Sequence, residues 1–182
     1  MANIGWGKAG IYLCDLDVEN SEWIQAPTPV ENSTNLTPTK GSKQEAKLEG
    51  GENEDVRYGA NNYALAYQIR RAKNKEMPIK HIDGIVAHNY GVIVVPADDK
   101  VPSACYIERS VVSVEDAFST QEGGTDLYTH DAVKPDDGSR MVKWGQITVT
   151  KDNATGKITK IVAKGEDFGE GEKVIYTAPA EG

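Results

Sequence analysis

The chain has 182 residues, 38% of them apolar, and its 20 basic and 28 acidic side chains give a formal net charge of −8. This length permits a sizeable core, in one domain or in a domain with an appendage. The acidic balance argues against a protein that holds nucleic acid by its phosphates, because that binding depends on Lys and Arg. It is compatible with a surface past which DNA slides without sticking.

The first residues, MANIGWGKAGIYLCDLD, contain no apolar core long enough for a signal peptide, and no stretch approaches the length of a membrane span. We therefore expect a protein made and first used in the cytosol, with no membrane partner. Cys14 and Cys105 are too few for a disulfide framework or a zinc site, so both are expected to be small buried side chains. No metal or other cofactor is expected.

The chain opens with two short predicted strands. Ile11 and Leu13 share one face of a strand at 11–13, and a second strand at 22–24 is stopped by Pro27 and Pro29. The 18 glycines and the frequent threonines favour many short strands and turns over a helical bundle.

The most unusual stretch is 38–59, PTKGSKQEAKLEGGENEDVRYG. Its first half alternates, with one side formed by Lys43, Glu45, Lys47 and Glu49 and the other by Gln44, Ala46 and Leu48. Successive side chains of a strand point to opposite faces, so this pattern predicts an extended ribbon with a zwitterionic face. The Gly50-Gly51 pair can take the positive φ angles of a tight reversal, and an acidic second leg follows at 52–58.

This ribbon cannot be a core element, because between Lys40 and Arg57 only Ala46, Leu48 and Val56 are available for burial. A lone hairpin is marginal in water, and folding it strictly through the two glycines sets Glu49 opposite Glu52, an unfavourable like-charge pair. The hairpin either extends into solvent or docks on another subunit of complementary charge. The second interpretation is favoured, and it indicates a self-assembling protein.

After the ribbon, Tyr63, Leu65, Tyr67 and Ile69 alternate with more polar or smaller residues, which predicts a half-buried strand at 62–69. A basic cluster of Arg70, Arg71, Lys73 and Lys75 follows it. In so acidic a chain, this cluster is better explained as a solvated strand end than as a nucleic-acid contact. The spacing of Ile82, Ile85 and Val86 predicts one short helix within 77–89, although Gly84 weakens it.

The remaining apolar runs predict further strands at 90–95, 104–118 (as one strand or two), 126–133, 141–150, 158–162 and 173–177. The predicted fold class is therefore mainly β. We expect a β-sandwich or barrel of about ten strands, with one short flanking helix and an extended polar hairpin arm.

Signals for catalysis are weak. His81, His88 and His130 lie in separate segments outside any nucleophile or metalloprotease motif, and no phosphate-binding glycine loop is present. Carboxylate pairs fall in turns or on the ribbon, so a hydrolase with a carboxylate dyad remains only a rival hypothesis. Another rival is a carbohydrate- or peptide-binding module that uses Trp6, Trp23 and Trp144 for stacking. Packed tryptophans and the missing export signal count against that module.

Several stretches together resemble the tail tube (major tail) proteins of tailed bacteriophages and prophages: NIGWGKAGIYL, TPTKGSKQEAKLEGGENEDVRYG leading into NNYALAYQIR, and WGQITV. The resemblance covers roughly residues 1–150. It implies subunits that form hexameric rings and stack into a hollow tube. Each subunit would be a β-sandwich or barrel with a flanking helix, its inner sheets would line a DNA channel, and its long hairpin would reach a neighbouring subunit or ring. Residues 151–182 do not match and are expected to form a C-terminal hairpin, either an extension or part of the same domain.

The resulting hypothesis is a non-enzymatic structural virion protein whose partners are copies of itself and other tail proteins, with DNA passing through without specific binding. It would be located in the host cytoplasm during assembly and then in the virion tail. A sheath, terminator or head–tail connector subunit is the alternative within this class. The arm residues expected at the subunit interface are Thr39, Lys40, Lys43, Glu45, Lys47, Leu48, Glu49, Glu52, Glu54, Asp55 and Arg57.

Overall fold

The computed structural model describes residues 4–180. Residues 1–3 of the predicted tube-like region (1–150) and residues 181–182 of the predicted C-terminal hairpin (151–182) lie outside the described residues. Within these bounds the chain is mainly β. Its strands are β1 (Gly10–Asp15), β2 (Ile24–Gln25), β3 (Asn35–Thr39), β4 (Lys43–Lys47), β5 (Asn53–Tyr58), β6 (Asn62–Arg70), β7 (Tyr90–Val95), β8 (Ala104–Ser119), β9 (Gly123–Ala132), β10 (Val142–Lys151), β11 (Ile158–Gly165) and β12 (Gly169–Thr177). Ten of them form one large sheet, and β4 and β5 form a small separate one.

The centre of the molecule is a layer in the order β2-β1-β7-β8-β10, with all neighbours antiparallel. Alternate residues of β1 and β7 enter two different cores: Leu13 and Val92 face one, and Tyr12 and Ile93 face the other. A layer covered on both sides needs apolar residues at nearly every position, which explains the uninterrupted run from Tyr90 to Val95. The predicted strand at 90–95 is confirmed.

The sheet folds into a sandwich because its longest strand changes partner along its length. The first residues of β8, from Ala104 to Ile107, pair with β10, whereas Ser110 to Ser119 pair with β9. β9 continues the second layer through β6 to β3. The predicted alternation in β6 is confirmed, because Leu65, Tyr67 and Ile69 are buried against the central layer.

Strand β10 changes partner in the same way. Val142 to Gly145 pair with β8, and from Gln146 onward the strand pairs with β11, which in turn pairs with β12. Ile147 of β10 and Ile158 and Ile161 of β11 join the second core on the other face of the central layer. The segment after residue 150 therefore supplies side chains to a core that it shares with β1 and β7.

Strand β3 was not predicted. It contains Pro38, which has no N–H to give to a sheet, and in the structure β3 pairs only with β6. Edge strands tolerate proline because one of their sides needs no hydrogen bonds. Pro38 lies opposite Tyr63, so Thr39 belongs to this body strand, where it pairs with Asn62, and not to the arm.

The predicted flanking helix within 77–89 is wrong. Ile82 and Ile85 exchange two backbone hydrogen bonds of 3.0 and 2.9 Å across Asp83 and Gly84, whose φ angles are 50° and 84°. Two positive φ angles at Asp-Gly define the primed turn that closes the tightest β-hairpins. The carbonyl of Gly84 then accepts a hydrogen bond from Val114 of β8 at 3.2 Å. The only helix among residues 4–180 is a single 3₁₀ turn, Glu166–Phe168.

No helix within the described part of the chain has the length and apolar character needed to cross a membrane.

Candidate assembly arm

The hairpin β4–β5 projects from the sandwich as the predicted arm. It continues the β3–β6 pair outward, but its two strands hydrogen-bond only to each other in their own two-stranded sheet. Every residue of both strands is exposed. A hairpin with no buried face has little to hold it beyond its backbone ladder, which is marginal in water.

The reversal at the tip uses the two glycines as predicted, with φ angles of 104° at Gly50 and 90° at Gly51. The register differs from a strict fold through this pair. The N–H of Leu48 donates to the carbonyl of Glu52 at 2.8 Å, so the loop holds three residues and Glu49 is not opposite Glu52. This register avoids the like-charge pair that was expected.

One face of the arm carries the predicted zwitterionic pattern. The Glu45 carboxylate forms ion pairs with Lys43 and Lys47, the latter at 3.6 Å, and lies opposite Val56. On the other face Arg57 pairs with Asp55 at 2.8 Å. Exposed ion pairs of this kind are worth about 0–1 kcal/mol each. They order the arm only weakly, and they leave its charges available to a partner.

The arm joins the body through a narrow neck. The N–H of Gly59 donates to the carbonyl of Ser42 at 2.9 Å, and the N–H of Gly41 donates to Asn61 Oδ1 at 3.3 Å. A Cβ on Gly41 would lie 2.0 Å from the carbonyl oxygen of Gly59, so only glycine fits this crossing. Lys40 lies over the ring of Tyr58, with 4.4 Å from its Nζ to the ring centroid. These contacts set the direction in which the arm leaves the sandwich.

The tip of the arm is acidic. Glu49, Glu52, Glu54 and Asp55 follow one another with no Lys or Arg between Leu48 and Val56. Leu48 is 49% exposed beside these carboxylates. The tip therefore offers one apolar side chain within a cluster of negative charge, with Lys47 at its border and Lys43 nearer the neck.

The structure gathers ten of the eleven predicted interface residues in the arm. Thr39 is the exception, as part of β3. Lys40 lies in the neck, and the others lie in β4, in the tip or in β5: Lys43, Glu45, Lys47, Leu48, Glu49, Glu52, Glu54, Asp55 and Arg57.

A buried polar network that the sequence did not reveal lies inside the sandwich. His130 is fully buried and contacts Ser110 Oγ through Nδ1 and Tyr67 Oη through Nε2, each at 2.9 Å. Ser110 donates its hydroxyl proton to the carbonyl of Tyr90 at 2.7 Å. The Ser110 oxygen must therefore accept a hydrogen bond from a protonated Nδ1 of His130. The unprotonated Nε2 then accepts a hydrogen bond from the Tyr67 hydroxyl.

This network is structural in character. Burial lowers the pKa of His130 to about 3, so the imidazole is neutral at physiological pH. Ser110, His130 and Tyr67 are all inaccessible to a substrate, and each hydrogen bond has a partner within the core. The three residues come from β8, β9 and β6, and only the register of these strands brings them together. No sequence motif could have indicated the contact.

The other candidate groups stay apart. His88 pairs with Asp15 at 2.7 Å, and His81 accepts a backbone hydrogen bond from Gly84 at 3.1 Å. Cys14 and Cys105 are buried and free, as expected. Among residues 4–180 no three His, Cys, Asp or Glu side chains are placed to hold a metal ion.

The tryptophans differ in their surroundings. Trp23 is buried in the second core, and Trp144 packs partly buried against the first. Trp6 is 76% exposed and lines a groove of about 740 Å³ with Leu36 and Trp144. Trp6 is the most exposed of the three.

No protein-family model matches this chain, and no curated protein matches it either.

Proposed function

We propose that this chain is a structural subunit that assembles with copies of itself into rings, which stack into a hollow tube of the phage-tail type. The observation that carries the proposal is the arm, a charged hairpin exposed along its whole length and held to a well-packed sandwich by a glycine neck. The resemblance of roughly residues 1–150 to tail tube proteins supports the same role.

An arm of this kind gains stability from docking. Its eleven strand residues bury no side chain in the isolated subunit, so the ordering of the backbone is offset only by the ladder and by weak ion pairs. Against a neighbouring subunit the same strands would bury Val56 and Tyr58, which are 38% and 55% exposed. Their charged side chains could then also pair with charges of that neighbour. Head-to-tail contacts that use different surfaces on each copy generate rings or filaments.

The charge of the chain fits a passage for DNA better than a binding site. With a net charge of −8, a surface formed by many copies repels phosphate groups and therefore does not retain a passing duplex. We propose hexameric rings, assembly in the host cytoplasm together with other tail proteins, and a final location in the virion tail. The proposed role is structural, without catalysis.

The test is negative-stain electron microscopy and sedimentation velocity of the purified protein over a rising concentration series. Rings or hollow rods support the proposal. A protein that stays monomeric across the series contradicts it as a self-sufficient tube subunit and favours the binding module. The groove beside Trp6 would then be tested with glycan and peptide libraries.

Removal of residues 43–55 provides the matched variant. We expect a folded monomer that no longer assembles, because the arm contributes nothing to either core. Circular dichroism and the urea midpoint should match those of the intact chain. Loss of folded structure would show instead that the arm stabilises the sandwich, and the interpretation of the arm would be wrong.

A further inference from the structure

Beyond the end of β6 that is remote from the arm, and along the neighbouring edge of β8, a surface combines positive charge with two exposed isoleucines. The arm leaves β6 at Asn62, and this surface begins where β6 ends, at Arg70. Nine strand residues, or about 30 Å, separate the two ends of β6. We call the surface the receiving patch and define it as Arg71, Lys73, Lys75, Lys80, Ile82 and Ile85.

The charge of the receiving patch is opposite to that of the arm tip. Lys73, Lys75 and Lys80 are exposed and form no salt bridge within residues 4–180, and Glu76 is the only acidic residue between Arg71 and Lys80. Arg71 is held by both oxygens of the buried Asp126, at 2.9 and 3.0 Å. The Asp83 carboxylate lies in the turn beyond Lys80, and Asp116 of β8 is close enough to act on Arg71. The positive charge offered to a partner is therefore that of Lys73, Lys75 and Lys80.

The apolar part of the patch is unusually exposed. Ile82 and Ile85 are 79% and 75% accessible, although they face each other across the tight turn at Asp83-Gly84. Arg71, Lys80, Ile82 and Ile85 line one open groove of about 640 Å³. Two adjacent β-branched side chains on a rigid turn give a partner an ordered apolar contact at small entropic cost.

We propose that the receiving patch is the docking site for the arm tip of a neighbouring copy of this chain. Leu48 packs against Ile82 and Ile85, and the tip carboxylates of Glu49, Glu52 and Glu54 meet the lysines. The occupant is a second copy because the arm continues the β3–β6 pair away from the patch of its own subunit, and because the tip and the patch carry complementary charge and apolar groups. When each copy gives its arm to one neighbour and receives the arm of another, the contact propagates into a ring or filament, whereas reciprocal exchange between two copies would close a dimer. This inference rests on the proposed function.

Charge reversal tests the contact. In the patch variant, Lys73→Glu, Lys75→Glu and Lys80→Glu are combined; in the tip variant, Glu49→Lys, Glu52→Lys and Glu54→Lys are combined. We expect each variant alone to need at least about a tenfold higher concentration to assemble, because like charges then face each other across the contact. An equimolar mixture should assemble as the wild type does, since each variant then carries the charge that the other lacks.

The control variant reverses three exposed lysines remote from the patch, Lys157→Glu, Lys160→Glu and Lys164→Glu, and changes the net charge equally. It should assemble at the wild-type concentration. If the wild type forms no oligomers, the proposed function itself is contradicted. If the wild type assembles and the patch variant assembles equally well, or if the mixture is not rescued, only the docking site is wrong.

Discussion

His130 shows how a single residue acquires its properties from strands that are distant in the chain. Its imidazole lies in a core formed by β6, β8 and β9, where Ser110 and Tyr67 satisfy both ring nitrogens at 2.9 Å. In the sequence it is a lone histidine followed by Asp131, which points toward solvent and does not touch the ring network. Burial, not a charged neighbour, lowers its pKa to about 3.

The low pKa of His130 predicts acid sensitivity. An unfolded histidine binds a proton near pH 6.5, whereas folded His130 does so near pH 3, so between these values the unfolded state binds more protons. The stabilisation by the neutral imidazole is therefore complete above about pH 6.5 and is lost as the pH falls toward 3. The full effect is on the order of 5 kcal/mol.

Urea unfolding of the wild type and of His130→Gln at pH 7.5, 5 and 4 measures this contribution. The difference in unfolding free energy between the two proteins should shrink by a few kcal/mol as the pH falls, because glutamine does not titrate. The pair of His88 with Asp15 is present in both proteins and cancels in the difference. A difference that stays constant with pH would show that His130 is hydrated in the folded state.

At the scale of elements, local turn chemistry and strand pairing decide between alternatives that hydrophobic spacing leaves open. The spacing of Ile82, Ile85 and Val86 suits a helix, but Asp83-Gly84 is also the strongest two-residue hairpin signal. The hairpin forms because it bonds to β8: the carbonyl of Gly84 accepts a hydrogen bond from the N–H of Val114, and Ile85 pairs with Ser113. A helix there would leave this edge of β8 without partners.

The neck is the element on which the direction of the arm depends. Gly41→Ala places a methyl group 2.0 Å from the carbonyl oxygen of Gly59, and the atoms that it meets, in Gly59 and Ala60, are all backbone atoms that cannot rotate away. We expect an intact sandwich with a displaced arm, hence impaired assembly at an unchanged urea midpoint. Hydrogen exchange should be faster at Gly59, whose N–H bonds to Ser42.

The matched control is Gly59→Ala in the same neck, where the added Cβ meets only Ser42, at 3.5 Å or more. This variant should assemble normally. Normal assembly of Gly41→Ala as well would show that the neck does not determine how the arm is presented.

At the scale of the whole molecule, one continuous sheet builds three layers because β8 and β10 each pair with two successive partners. The result is a rigid body with two apolar cores and an acidic exterior, from which a single polar hairpin protrudes. In the proposed assembly the body supplies shape and the arm supplies the connection between copies.

Because this connection is mainly ionic, assembly should weaken with salt. The Debye length falls from about 10 Å at 0.1 M to about 3 Å at 1 M, which screens exposed carboxylate–lysine pairs. Sedimentation velocity in NaCl across this range should show oligomers converting to monomers, while the circular dichroism spectrum stays unchanged. Oligomers that persist or grow at 1 M would indicate an interface dominated by apolar contacts.

The sequence by itself determined the mainly β class, the half-buried β6, the fully buried β7 and the exposed hairpin with its double-glycine turn. Each of these follows from a local pattern: alternation, an unbroken apolar run, or a lack of anything to bury. At 82–85 the sequence offered both a helical spacing and a hairpin turn, and contacts with β8 decided between them. Tertiary structure alone decided the edge strand β3 and the network around His130. These features depend on which strands become neighbours. Contacts between residues so far apart in the chain produce no periodic pattern in the sequence.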